Sequence, residues 1–126
     1  MANINRCIFT GRVVRDAEVR TTASGKEVVT FSLAVNRPRK TADGWEDETS
    51  FLDCEKWCDD GSYFERKLRK GARICIESRA KQERFQSKTG ENRTKVKFTV
   101  DSIDVLDSAP DDQPRASSMA ATDIPF

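Results

Sequence analysis

A chain of 126 residues carrying 22 Lys and Arg, 21 Asp and Glu and no His is one domain's worth of polypeptide, with or without a tail, and long enough to bury a core. The missing His removes the commonest general base and forbids Ser-His and Cys-His nucleophile pairs, and no phosphate-cradling glycine loop is present; catalysis would rest on scattered carboxylates, so a non-enzymatic protein without cofactor or metal is expected. No apolar run approaches the ~20 residues of a membrane span and the opening residues lack a signal peptide's apolar region, so no membrane association and a cytoplasmic location are expected.

Residues 5–14 read as a first strand, with apolar side chains on both parities and so both faces partly covered. Gly11 inside it marks a bulge or a sharp bend, as at a barrel corner. Residues 16–20 follow as a connector or edge piece, and the Ser-Gly of residues 21–26 makes a turn. In residues 28–35, Val29, Phe31, Leu33 and Val35 form one apolar face of a second strand, opposite Thr30, Ser32 and Ala34. Residues 36–44 then read as a loop broken by Pro38 and Gly44 and carrying Arg37, Arg39 and Lys40, with Trp45 just beyond it amid Glu46, Asp47 and Glu48. A third strand spans residues 49–57. Leu52 and Cys54 share its core parity, which leaves Phe51 and Trp57 on the wetter face beside Asp53 and Glu55.

Ser62 and Glu65 have capping-box spacing and Gly71 is a stop, which predicts a helix of two to three turns with Tyr63, Phe64 and Leu68 inward. Residues 72–100 are two alternating runs around a Gly-bearing turn, a long β-hairpin. From Arg79 to Lys97 this hairpin holds seven bases (Arg79, Lys81, Arg84, Lys88, Arg93, Lys95, Lys97) against Glu83 and Glu91, with Phe85 among them. Cations interleaved with an exposed aromatic suit single-stranded nucleic acid, a polyanion with stackable bases. Ile103 and Val105 continue on the parity opposite to Val96, Phe98 and Val100, so a bulge is expected near Asp101 and Ser102. Cys7, Cys54 and Cys75 lie in apolar runs and read as reduced core thiols; with no His, Cys54 and Cys58 lack partners for a mixed zinc site.

From Asp107 the chain turns small, polar and Pro-bearing, and disorder is expected. Residues 107–126 hold Asp107, Asp111, Asp112 and Asp123 against Arg115, so the whole-chain charge of +1 divides into −3 for the tail and +4 for the body. The body suits a polyanion and the tail is repelled by it. Ile124 and Phe126 make the terminus a candidate docking peptide, with Asp123 and a terminal carboxylate to meet basic groups on a partner.

Three strands, a helix and a two-stranded hairpin predict an all-β OB-fold: a five-stranded Greek-key barrel over residues 1–106, its one helix between the third and fourth strands. The binding face of this fold lies on strands two and three, with the 1–2 and 4–5 connections beside it. Phe51, Trp57, Phe85 and Trp45 are the candidate stacking residues. Arg37, Arg39, Lys40, Lys56, Arg73, Arg79, Lys81, Arg84 and Lys95 are the candidate phosphate contacts.

The chain resembles the bacterial single-stranded DNA-binding protein family. The likeness is carried by residues 5–12 (NRCIFTGR), 16–20 (DAEVR), 31–36 (FSLAVN), 68–71 (LRKG) and 89–93 (TGENR) and by the closing Asp-Ile-Pro-Phe. It covers about the first 106 residues and the last few. The resemblance implies a nucleoid-associated homotetramer that wraps single-stranded DNA without strong sequence preference. It also implies that the tip (Ala121, Thr122, Asp123, Ile124, Pro125, Phe126) recruits replication, recombination and repair proteins. By matched position Phe51, Trp57 and Phe85 take the family's stacking sites. Two departures stand out: residues 37–40 (RPRK) follow the second strand where the family often has an aromatic, and Ala121 and Thr122 precede a lone Asp123 where the family's tip carries several acids. The rivals are an OB-fold module for structured RNA or an accessory of replication restart, which gives no reason for the Ile-Pro-Phe end, and a pure protein adaptor, which does not require the basic hairpin.

Overall fold

The computed structural model describes residues 2–108; the expectations placed on the rest of the tail, including Ala121 to Phe126, lie outside the described residues. The elements are β1 (Cys7–Val13), β2 (Glu18–Thr21), β3 (Glu27–Thr41), β4 (Gly44–Cys58), α1 (Ser62–Lys67), β5 (Arg73–Gln86) and β6 (Asn92–Asp107). Hydrogen bonding runs β1-β5-β6-β4-β3, and β1 returns to β3, which closes a five-stranded barrel; β2 is a short strand added to β3. All pairings are antiparallel except β4 with β6. This is the expected OB-fold, with the connector of residues 16–20 contributing an extra edge strand and the helix between the two strands foreseen for it.

Closure depends on β1 changing partners. Residues 7–12 pair with β5, while Arg12 and Val13 pair with Ala34 and Leu33 of β3. Gly11 sits at the switch: a Cβ there would collide with the Ala34 carbonyl oxygen and press on Leu33 Cγ. The glycine is therefore required by close approach of two backbones. Among the described residues only one face of β1 is covered. Val13 is buried and Phe9 packs edge-on against Phe98 at 5.2 Å, whereas Ile8 is 65% exposed. Before the strand begins, Asn5 extends it with its side chain, donating to the Ala80 carbonyl at 2.7 Å and accepting from the Ala80 N–H at 3.0 Å.

The core follows the alternation read from β3. Val29, Phe31 and Leu33 meet Cys54, Ile74, Ile76, Val100 and, from the end of the helix segment, Leu68. Ser78 is fully buried yet satisfied, its hydroxyl donating to the Cys7 carbonyl at 2.9 Å. It lies where the β5–β6 register slips: Glu77 faces Ser102 and Ser78 faces Val100. Asp101 is the extra residue, the bulge that the change of parity foretold.

Two expectations are corrected. Residues 36–44 are not a loop: β3 and β4 continue as a ribbon to a tight turn at Ala42 and Asp43. Opposite charges face each other across it, Arg37 with Glu48 and Arg39 with Glu46, and Pro38 is tolerated where β3 has a partner on one side only. Ser62 is not the helix cap either. Gly61 holds that position, packed too closely against Val19 and Val29 to carry a side chain. Asp60 instead accepts from the Ser62 hydroxyl at 2.6 Å and its N–H at 2.9 Å, bonds that hold its carboxyl below the usual range. The helix is six residues long, and Tyr63, expected inside, is 49% exposed beneath Arg66.

Gly11→Ala should destabilise the fold by about 1–3 kcal/mol, the usual cost of forcing extra volume into a packed site, because the obstacle is backbone. Urea unfolding followed by circular dichroism measures it; an unchanged midpoint would show that β1 does not need the close approach.

Candidate nucleic-acid interface

The outer face is fixed by the period of two along β4. Cys54 is buried and Leu52 packs on the core, so Phe51, Asp53, Glu55 and Trp57 point away from it. Register carries this face sideways in both directions. Phe51, Asp53, Glu55 and Trp57 lie opposite Ala34, Ser32, Thr30 and Val28 of β3, and Glu55 lies beside Thr99 of β6. Lys95 and Lys97 share the parity of Thr99. Across β5, Lys97 faces Lys81, Arg93 faces Phe85 and Thr99 faces Arg79. One continuous surface thus brings together Phe51 (68% exposed), Trp57 (47%) and Phe85 (42%) with these cations. The Lys95 ammonium stands 5.4 Å from the centre of the Phe85 ring, a cation–π contact that keeps both groups outward.

Along β4 the same parity recurs at Trp45, which is 71% exposed near the tip of the β3–β4 ribbon with Lys40 opposite. Trp45, Phe51 and Trp57 are spaced six residues apart on one face of one strand, about 20 Å per interval at strand rise. The connection from β1 to β2 supplies the rim: Arg15, Asp16 and Glu18 border a groove with Ser32, Asp53, Glu55, Lys95 and Lys97. Arg20 borders its continuation beside Trp57. Arg15 and Arg20 were not singled out in the sequence, although the 1–2 connection flanks the face in this fold.

Of the nine candidate phosphate contacts, the structure gathers Lys40, Arg79, Lys81 and Lys95 on this surface. Arg79 is held there by Asp101 at 3.2 Å. The other five are placed elsewhere. Arg37 and Arg39 have the opposite parity, and Arg39 lies 3.7 Å and 3.9 Å from Glu46 and Glu48. Lys56 lies on the core parity and donates to the Asp101 carbonyl at 2.9 Å, so it braces the β6 bulge. Arg84 stands opposite Thr94 on the reverse side of the hairpin from Phe85. Arg73 is at the far end of β5, pairing with Asp107 at 3.4 Å. For Arg37, Arg39, Lys56 and Arg84 the cause is that successive residues of a strand point to opposite sides, which a charge count ignores; Arg73 shares the parity of Arg79 and Lys81 and is set apart only by distance along β5.

The pattern of the single-strand binding protein family matches residues 4–106. A single-stranded DNA-binding protein of Treponema pallidum is 34% identical over 108 residues, 86% of this chain and 61% of that protein. One of Borreliella burgdorferi is 35% identical over 109 residues, 86% of this chain and 73% of that protein. The chain thus spans 61% of the length of the first of these relatives. Among solved structures, a Plasmodium falciparum SSB complex with ssDNA superposes with a TM-score of 0.76 at 18% identity, covering 85% of this chain and 98% of that one. The superposition establishes the shared fold.

No disulfide joins the four cysteines. Cys54 lies directly beneath the outer face, and burial, helped by Asp53, pushes its thiol up to about 12. A raised folded value means that the thiol's stabilising contribution is whole below its ordinary value of 9.0 and is lost as pH rises from there through about 12. Cys54 should therefore resist iodoacetamide at pH 8 in the folded protein and react once urea is added. Mass-spectrometric mapping reads this directly, and rapid native labelling of Cys54 would contradict its burial.

Proposed function

The chain belongs to the single-strand binding protein family, and from that premise we propose that it binds single-stranded DNA along the β3–β4–β6–β5 face with little dependence on sequence. The observation that supports this is the convergence of Phe51, Trp57 and Phe85 with Arg79, Lys81, Lys95 and Lys97 on one surface. Stacking on aromatic rings tolerates any base because every base has a π-face, while the cations meet phosphates. A duplex hides its base faces, and this surface has no helix to enter a groove, so single strands are preferred. Nothing in this arrangement calls for a catalytic group, and we propose no enzymatic activity.

Self-association into a homotetramer belongs to the proposal; Ile4 (96% exposed) and Ile8 (65%) offer apolar area beside β1 that supports it. Recruitment of replication, recombination and repair proteins is assigned to residues 121–126. Ile124 and Phe126 supply apolar anchors there, Pro125 limits the entropy lost on docking, and Asp123 supplies charge. A cytoplasmic, nucleoid-associated location accompanies this reading.

Titration of tryptophan fluorescence with a homopolymer strand and with duplex tests the core of the proposal. Trp57→Ala should weaken single-strand binding by ~1–3 kcal/mol, the figure general to single-strand-binding OB-folds. Affinity should fall with salt by about 0.7 in log–log slope for each phosphate contact. Equal affinity for duplex and single strand would sink the proposal. Removing residues 123–126 should abolish capture of partner proteins and leave single-strand affinity unchanged or slightly higher, since an anionic segment competes with DNA for the same cations. Loss of DNA binding on that truncation would make the tail structural and end the docking assignment.

A further inference from the structure

Between its two exposed aromatics, β4 presents two carboxylates. Phe51, Asp53, Glu55 and Trp57 occupy successive outward positions. A surface that only held phosphates would carry bases there, because a carboxylate repels a phosphate. Asp53 has a neighbour, the Ser32 hydroxyl, which donates to it at 3.2 Å. Glu55 is different. It is 7% exposed, flanked by Thr30 on β3 and Thr99 on β6, and among the described residues its carboxylate makes no hydrogen bond and no ion pair. Nor is any side-chain oxygen among the described residues both sealed from solvent and without a partner. The Glu55 stem is therefore packed while its oxygens open into the grooves on either side. Arg15, Lys95 and Lys97 border one of these and Arg20 and Trp57 the other.

With no protein donor among the described residues, the Glu55 oxygens are left to water in the groove, and a ligand that displaces that water must supply a donor in its place. The cations at the rims suit phosphates, and the rings of Phe51 and Trp57 suit base faces. What remains for Glu55 is the edge of a base. A carboxylate is acceptor-only, so it distinguishes edges by their donors. Cytosine offers its N4 amine, the standard partner of Glu and Asp in base recognition. Thymine and uracil put a carbonyl oxygen in that place, and their one donor, N3–H, sits between two carbonyl oxygens that repel an approaching carboxylate.

We propose that Glu55 accepts a hydrogen bond from the exocyclic amine of a base bound between Phe51 and Trp57, which gives an otherwise tolerant surface a bias toward cytosine over thymine and uracil. This rests on the single-strand reading above and adds a chemical preference to it. The row of carboxylates also sets polarity across the groove, with bases toward β4 and phosphates outward toward Arg15, Arg20, Lys81 and Lys95.

The test compares oligo(dC), oligo(dU) and oligo(dT) of equal length at fixed salt, by fluorescence or by anisotropy of an end label. Cytosine and uracil match in size and charge and differ at C4 and N3, the edge positions that the proposal concerns, so the comparison needs no altered protein. The wild-type chain should bind oligo(dC) roughly tenfold more tightly than oligo(dU), the scale of one hydrogen bond to a charged group. Glu55→Gln keeps the side chain's shape but adds an amide donor, so the dC-to-dU ratio should collapse toward one or invert, with thermal unfolding confirming that the variant is folded. Equal binding of the three strands by the wild-type protein overturns the proposal and leaves the single-strand reading intact, as does a dC preference that Glu55→Gln does not alter. Failure to bind any strand at low salt overturns the single-strand reading and this inference with it.

Discussion

Closure of the barrel through β1 is the constraint on which the rest depends. A strand that pairs with β5 along most of its length and with β3 at its end must bring two backbones into contact, and Gly11 allows it. Once the ring is closed, every barrel strand has an inside and an outside, with no third environment. Leu33, Cys54, Ile74 and Ile76 fill the inside. Phe51 and Trp57, of opposite parity to Cys54, cannot join them. A one-residue slip of β4 would bury both rings, but it would turn Leu52 and Cys54 out and bury Asp53 and Glu55 as well. The exposed aromatics are thus a consequence of a register the core enforces, and their exposure costs less than any rearrangement that would hide them.

Charge is distributed over this frame in a way that leaves it usable. Several cations of the outer face already have acidic neighbours: Arg79 beside Asp101 at 3.2 Å and Lys97 beside Glu83 at 3.3 Å. The exposed Arg79–Asp101 pair contributes roughly 0–1 kcal/mol, so a phosphate can replace that carboxylate at little cost, whereas Lys97 and Glu83 are half-buried. Such neighbours hold the side chains on the correct side of the sheet while no anion is bound. Arg39, set between Glu46 and Glu48 on the other side of its ribbon, is closer to a structural charge: it joins two strands where burial contributes little.

The parts legible in the sequence were those governed by a period of two and by backbone geometry. The alternation of Val29, Phe31 and Leu33, a barrel corner at Gly11, the bulge at Asp101 and the outward parity of Phe51 and Trp57 all follow from local pattern. The turn at residues 21–26 was equally legible, and Gly25 adopts the positive φ of 89° that it requires. What was not legible depends on partners distant in the chain. Pro38 and Gly44 look like breakers until Glu46 and Glu48 are seen across from Arg39 and Arg37. Ser62 looks like a cap until Asp60 is found bonding to it and Gly61 is found wedged against Val19 and Val29. Lys56 looks like a phosphate ligand until its ammonium is found on the Asp101 carbonyl. In each case the residue type was read correctly and its direction or its partner was not.

The two ribbons that leave the barrel differ physically from the barrel itself. No residue from 36 to 50, nor from 79 to 97, is buried, so both ribbons are held by backbone pairing and cross-strand contacts. Two-stranded ribbons of this kind are marginal by themselves, and segments with few buried contacts open at lower free energy than the core. Phe51 and Trp57 stand where β4 is backed by Leu33, Cys54 and Val100, whereas Phe85 and Trp45 stand out on the ribbons. On the proposed reading, a base stacked on Trp57 would meet a surface already ordered, and nearly all of the stacking free energy would appear as affinity. A base stacked on Phe85 would also have to hold a ribbon in place, so part of the same interaction would go into ordering it. The ribbons would then contribute reach and adaptability to a flexible polyanion, and the barrel the fixed points against which it is positioned.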